Sequence, residues 1–109
     1  MRFVARVPSG NRAISSLTLM ELLQGCRNHA EMRQVKHFVV ENVPLVVHPD
    51  EAVSRRAIDL LERHAMPHGL RVVDAIIGAT ALEIGGVLAT ANVKHYRPIA
   101  TLPLLAFRA

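Results

Sequence analysis

Glu21 and Asp74 are the residues of this chain best placed to do chemistry, because each is a lone carboxylate in an otherwise apolar run. Glu21 lies in Ser15-Ser16-Leu17-Thr18-Leu19-Met20-Glu21-Leu22-Leu23-Gln24-Gly25, and Asp74 in Val73-Asp74-Ala75-Ile76-Ile77-Gly78-Ala79-Thr80-Ala81-Leu82. Apolar neighbours strip water from a carboxylate at a cost of a few kcal/mol, which hydrogen bonds or a cation must offset. The pair is therefore a candidate metal site. Asn92, in Leu88-Ala89-Thr90-Ala91-Asn92-Val93-Lys94-His95-Tyr96, would add a neutral oxygen to its rim. Oxygen-only donors suit hard cations, so Mg²⁺ or Mn²⁺ fits better than zinc. Such an ion activates a water and neutralises charge on a phosphodiester.

Each of these residues also has a purely structural use. Glu21 follows Thr18 by three residues, the spacing of a capping box at a helix start. Asp74 precedes a helical run and would serve as its N-cap. Asn92 suits a turn. Lys94 and His95 could touch phosphate, but surface side chains of this type need no ligand. His64 and His68 have the i, i+4 spacing of a zinc pair, yet Pro67 between them is expected to break the helix. Cys26 and His29 have no matching second pair.

Positioning these groups requires alternating strands and helices. Ala13–Leu17 reads as a strand, followed by a helix from Thr18 to about Arg27. Met32, Val35, Phe38 and Val39 give helical spacing over 31–41. Pro44–His48 reads as a buried strand. Pro49 and Asp50 open a helix running to Met66, where Pro67 and Gly69 end it, and 70–73 is a linker or short strand. A helix over Ala75–Ile84 stops at Gly85-Gly86, Val87–Thr90 forms a strand, and a last strand lies within Ile99–Leu105. The pattern implies an α/β domain with a parallel sheet, its 13–17, 44–48 and 87–90 strands side by side. Ligands of such folds gather past the carboxyl ends of the strands, where Glu21, Asp74 and Asn92 fall.

Composition narrows the classes. The 109 residues fit one domain, and half of them are hydrophobic. No apolar stretch approaches the roughly 20 residues of a membrane span, and Arg6 and Pro8 break any signal-peptide core. A single cysteine forbids an intrachain disulfide and suits a cytoplasmic location. Thirteen Lys and Arg against nine Asp and Glu favour a polyanionic partner, while the scarcity of aromatics argues against base stacking. RNA contacts would then be mainly to phosphates.

The Ser-Ser-x-Thr-x-x-Glu-Leu-x-x-Gly, Asp-Ala-x-Ile-x-Ala-x-Ala-Leu and Leu-Ala-Thr-x-Asn-x-Lys-His-aromatic segments together resemble the PIN-domain family, in particular the VapC-type ribonuclease toxins of bacterial toxin–antitoxin pairs. The resemblance covers 13–105, so 1–12 is an unmatched segment and 13–109 an incomplete PIN-like domain. It implies a three-layer α/β/α fold and a Mg²⁺- or Mn²⁺-dependent endoribonuclease cleaving structured RNA such as transfer RNA. Glu21, Asp74 and Asn92 become catalytic, Glu21 and Asp74 hold the metal, and the Thr90 hydroxyl supports the site. A cognate antitoxin and a second copy of the chain are the implied protein partners. The family also opens on a strand ending in an Asp, but no Asp precedes Asp50 here. The chain is accordingly expected to be N-terminally truncated and feebly active, with Phe3–Val7 as a substitute strand without a carboxylate. The alternative is an inactive PIN remnant that binds an antitoxin or dimerises.

Overall fold

Short strands of mostly apolar residues and longer helices set the element order. The computed structural model describes residues 12–90 and 93–106; Phe3–Val7 and Asn92 lie outside them. The elements are β1 (Ala13–Ser15), α1 (Ser16–Gln24), α2 (His29–Asn42), β2 (Leu45–Val47), α3 (Glu51–His68), α4 (Val72–Glu83), β3 (Leu88–Thr90), α5 (Val93–Tyr96) and β4 (Leu104–Ala106). Pro44 and Pro103 stand immediately before β2 and β4, where a residue without an N–H costs the ladder nothing. Strands and helices alternate, and the strand pairs are parallel, as an α/β fold requires.

The described residues form two compact units, 12–48 and 49–106. In the first, β1 pairs with β2 in the register Ala13–Leu45, Ile14–Val46 and Ser15–Val47. Ile14, Val39 and Val43 are its buried core, with Leu19, Leu22, Phe38 and Val46 packed against them. In the second, β3 pairs with β4, Leu88 opposite Leu104. Its larger core joins Val53, Ala57 and Leu60 of α3 to Ala75 and Ala79 of α4, together with Leu70, Tyr96, Ile99 and Leu102. The expectation that the 13–17, 44–48 and 87–90 strands lie side by side is met for the first two alone: among the described residues β3 pairs with β4 in a second two-stranded sheet instead.

Several boundaries differ from the sequence expectation for local reasons. β1 stops at Ser15 rather than Leu17, because the Ser15 hydroxyl accepts the Leu17 N–H at 3.2 Å and starts α1 at Ser16. α2 begins at His29, capped by Asn28, whose Oδ1 accepts the Glu31 N–H at 2.9 Å. α4 begins at Val72, so of the 70–73 segment expected as a linker or short strand, Leu70 and Arg71 link α3 to α4 and Val72 and Val73 are already helical. α3 runs through Pro67 to His68, since a proline this close to the end of a helix removes one backbone bond while the closing bonds remain. Gly69, at φ +69°, then donates its N–H to the Ala65 carbonyl, a left-handed cap that glycine adopts without strain.

Asp50 caps the N-terminus of α3, its Oδ1 accepting the Val53 N–H at 2.9 Å. Asp50→Ala is expected to cost about 1 kcal/mol, read as a lowered denaturant midpoint with an unchanged slope.

Candidate functional site

Asp74 is the third residue of α4, immediately before a run of small buried residues that includes Ala75, Gly78 and Ala79. The N-cap position belongs to Arg71, which makes no side-chain capping bond, so the expected capping role of Asp74 is corrected. A carboxylate in the first helical turn still gains from the partial positive charge there. Its side chain is one-fifth exposed. The Tyr96 hydroxyl donates to Asp74 Oδ1 at 3.4 Å, and His95 Nδ1 lies 3.7 Å from Oδ2. Successive residues of α5 therefore face the two oxygens of one carboxylate. Sequence reasoning set His95 aside as surface and gave Tyr96 no role; their adjacency in the Lys-His-aromatic segment was the available signal.

Glu21 lies in the first unit, past the middle of α1 and exposed. With Ser15 as N-cap, Glu21 is the sixth helical residue, so the expected capping box with Thr18 does not form. A structural cap no longer accounts for either acid. Thr90 ends β3, half-buried, and two residues later comes Asn92, outside the described residues.

Glu21 also lines a groove of about 550 Å³ between α1 and α2, whose walls include Leu22, Cys26, Val35 and Phe38. Glu31, on the same groove, receives hydrogen bonds from the Arg27 side chain at 2.7 and 3.1 Å and from the Arg27 backbone N–H at 2.8 Å. The guanidinium first, then the amide, hold its carboxyl below the usual value. Cys26 donates to the Leu22 carbonyl at 3.3 Å.

The imidazoles of His64 and His68 are 5.6 Å apart between ring centroids, because α3 continues past Pro67 where a break was expected. No group of three His, Cys, Asp or Glu side chains converges among the described residues. The donor chemistry at Asp74 nonetheless suits a hard divalent ion: a partly desolvated carboxylate, oriented from one side, with lone pairs remaining on both oxygens.

Among the described residues no helix is long and apolar enough to cross a membrane. The sequence matches the PIN domain family over residues 1–99, a span that begins ahead of Ala13. No curated protein matches it. Among solved structures, VapBC-1 from nontypeable Haemophilus influenzae is similar with a TM-score of 0.76 and 23% identity, over 97% of this chain and 85% of that one. A toxin–antitoxin complex from Klebsiella pneumoniae gives 0.74 and 22% over 94% and 78%. FitAcB from Neisseria gonorrhoeae gives 0.69 and 17% over 94% and 80%.

Proposed function

We propose, on the premise that this chain belongs to the PIN-domain family, that it is the nuclease of a toxin–antitoxin pair, a metal-dependent endoribonuclease acting on structured RNA such as transfer RNA. The observation that carries this reading is Asp74: a carboxylate four-fifths buried at the head of an apolar helix, relieved of any capping duty and faced on both oxygens by α5.

Asp74 is the carboxylate that would hold Mg²⁺ or Mn²⁺, with the Thr90 hydroxyl in support, while ligand roles for Glu21 and Asn92 rest on the family resemblance alone. When bound, the ion lowers the pKa of an attacking water and offsets charge developing on the phosphodiester. The chain's own part is to keep the Asp74 carboxylate oriented. Lys94 and His95, both exposed on α5, stand where they can meet RNA phosphates. The net charge of +4 favours the approach of RNA.

The named structural relatives include toxin–antitoxin complexes, which supports a cognate antitoxin as the protein partner. The groove between α1 and α2, with its apolar walls and acidic rim, suits a docked segment carrying aliphatic and basic side chains. A second copy of the chain and a cytoplasmic setting belong to the same reading.

The test is metal removal. Cleavage of a labelled transfer RNA by the 109-residue chain is expected to stop in chelator and return with Mg²⁺ or Mn²⁺, and Glu21→Gln is expected to slow it at least tenfold. Cleavage that persists in chelator overturns the reading. A chain that cleaves no RNA with either metal yet captures its antitoxin is instead an inactive binding module.

A further inference from the structure

We infer that Tyr96 is a positioning residue for the Asp74 carboxylate, its buried ring serving as a fixed arm that sets one carboxylate oxygen and leaves the other for the metal. The inference rests on the metal-site reading of Asp74 and adds to it the residue that holds the ligand in place.

Tyr96 is 4% exposed and belongs to the core of the second unit. Its backbone is fixed on both sides: the Arg97 N–H donates to the Val93 carbonyl at 2.9 Å and the Ile99 N–H to the Tyr96 carbonyl at 3.0 Å. The ring packs over Gly78, where an added Cβ would lie 3.6 Å from Tyr96 Cε1 and 3.6 Å from Ile99 Cδ1. Gly78 and Asp74 are four residues apart on α4, hence one above the other on the same helix face. A ring seated on Gly78 therefore carries its hydroxyl one turn back along the helix, to Asp74 Oδ1. A phenylalanine would fill the core equally well but could not donate to the carboxylate.

Groups that hydrogen-bond a metal ligand fix its rotamer, and removing one lowers metal affinity about 10- to 100-fold. At Asp74 the partner is rigid because the core immobilises it. Oδ2 faces His95 Nδ1 at 3.7 Å, beyond hydrogen-bond reach, and so keeps its lone pairs for the ion.

Tyr96 is the only tyrosine, and the chain has no tryptophan, so tyrosine fluorescence reports this hydroxyl alone. Titration of the unsubstituted 109-residue chain with Mg²⁺, which is not itself a quencher, is expected to change that fluorescence and to saturate with binding. The change should vanish in Asp74→Asn. In parallel, Tyr96→Phe is expected to weaken Mn²⁺ uptake, followed by loss of the free-ion electron paramagnetic resonance signal, about tenfold or more with unchanged helical circular dichroism. The Mn²⁺ concentration needed for half-maximal RNA cleavage should rise by the same factor while the rate at saturating Mn²⁺ is retained. If Tyr96→Phe binds Mn²⁺ like the unsubstituted chain while Asp74→Asn does not, Tyr96 is a core residue only and the inference falls, with the metal site intact. If the fluorescence does not respond to Mg²⁺ although Asp74→Asn loses Mn²⁺ binding, it falls likewise. If Asp74→Asn binds as well as the unsubstituted chain, or that chain takes up no Mn²⁺, the metal-site reading itself is overturned and the inference with it.

Discussion

Asp74→Asn is expected to lower divalent-dependent RNA cleavage at least a hundredfold while leaving the protein folded. A metal that stabilises transition-state charge contributes several kcal/mol, and each 1.4 kcal/mol is tenfold in rate, so loss of an anionic ligand should exceed two decades. The fold tolerates the change for two reasons visible at the site. Asp74 is the third residue of α4 rather than its cap, so only a charge–dipole interaction of about 0.3–1 kcal/mol is lost. The asparagine oxygen can also accept the Tyr96 hydroxyl in place of Asp74 Oδ1. Cleavage rates at saturating Mn²⁺ and thermal melts of both proteins make the comparison. Equal rates would remove Asp74 from the site; a collapsed melt would assign it to the scaffold.

Leu60→Ala is expected to be the more damaging change to stability. Leu60 lies on α3, 6% exposed, in the core that joins Val53 and Ala57 to Ala75 and Ala79. Truncation removes three carbons where the facing residues of α4 are too small to move into the gap, so the cavity remains and the cost is about 2–5 kcal/mol. For a domain of this size that corresponds to roughly 10 °C or more in melting temperature. The exposed Ile58, two residues away on the same helix, provides the contrast: Ile58→Ala should shift the midpoint far less. Comparable losses at the two positions would mean that the α3–α4 packing is not where this unit's stability resides.

The alternation of strands and helices was legible because apolar runs and their breakers are local: Pro44 before β2, Asp50 before α3 and the Gly85-Gly86 stop after α4 all act within a turn of themselves. Helix starts were misplaced where two residues compete for one task. Ser15 and Thr18 are both competent caps, and Ser15 prevails by accepting the Leu17 N–H, which moves Glu21 out of the capping box. Arg71 has no capping side chain, so nothing in the sequence marks the start of α4, and Asp74 was read as the nearest available cap. Pro67 signals a break in a helix interior, but it lies in the last turn of α3, where the helix tolerates it. Glu21 and Asp74 stand out in the sequence as lone acids in apolar runs, but the Tyr96–Asp74 contact does not, since 22 residues separate its partners and only the packing of α5 against α4 joins them. The pairing of strands into two ladders is likewise a matter of long-range register, on which three-residue strands carry little information.

The small side chains of α4 have a consequence for how this protein tolerates drift. Ala75 and Ala79 are fully enclosed, so α4 lies against its neighbours almost backbone to side chain, with no long flexible group between them to absorb a shift. Asp74 rides on the same stretch of helix. A substitution that widens this seam by even a methyl group is expected to displace the helix that carries the carboxylate, at a cost of about 1–3 kcal/mol in stability. On the metal-site reading of Asp74, steric tolerance along α4 would constrain the sequence as much as chemistry does, and the least replaceable positions would include the enclosed alanines.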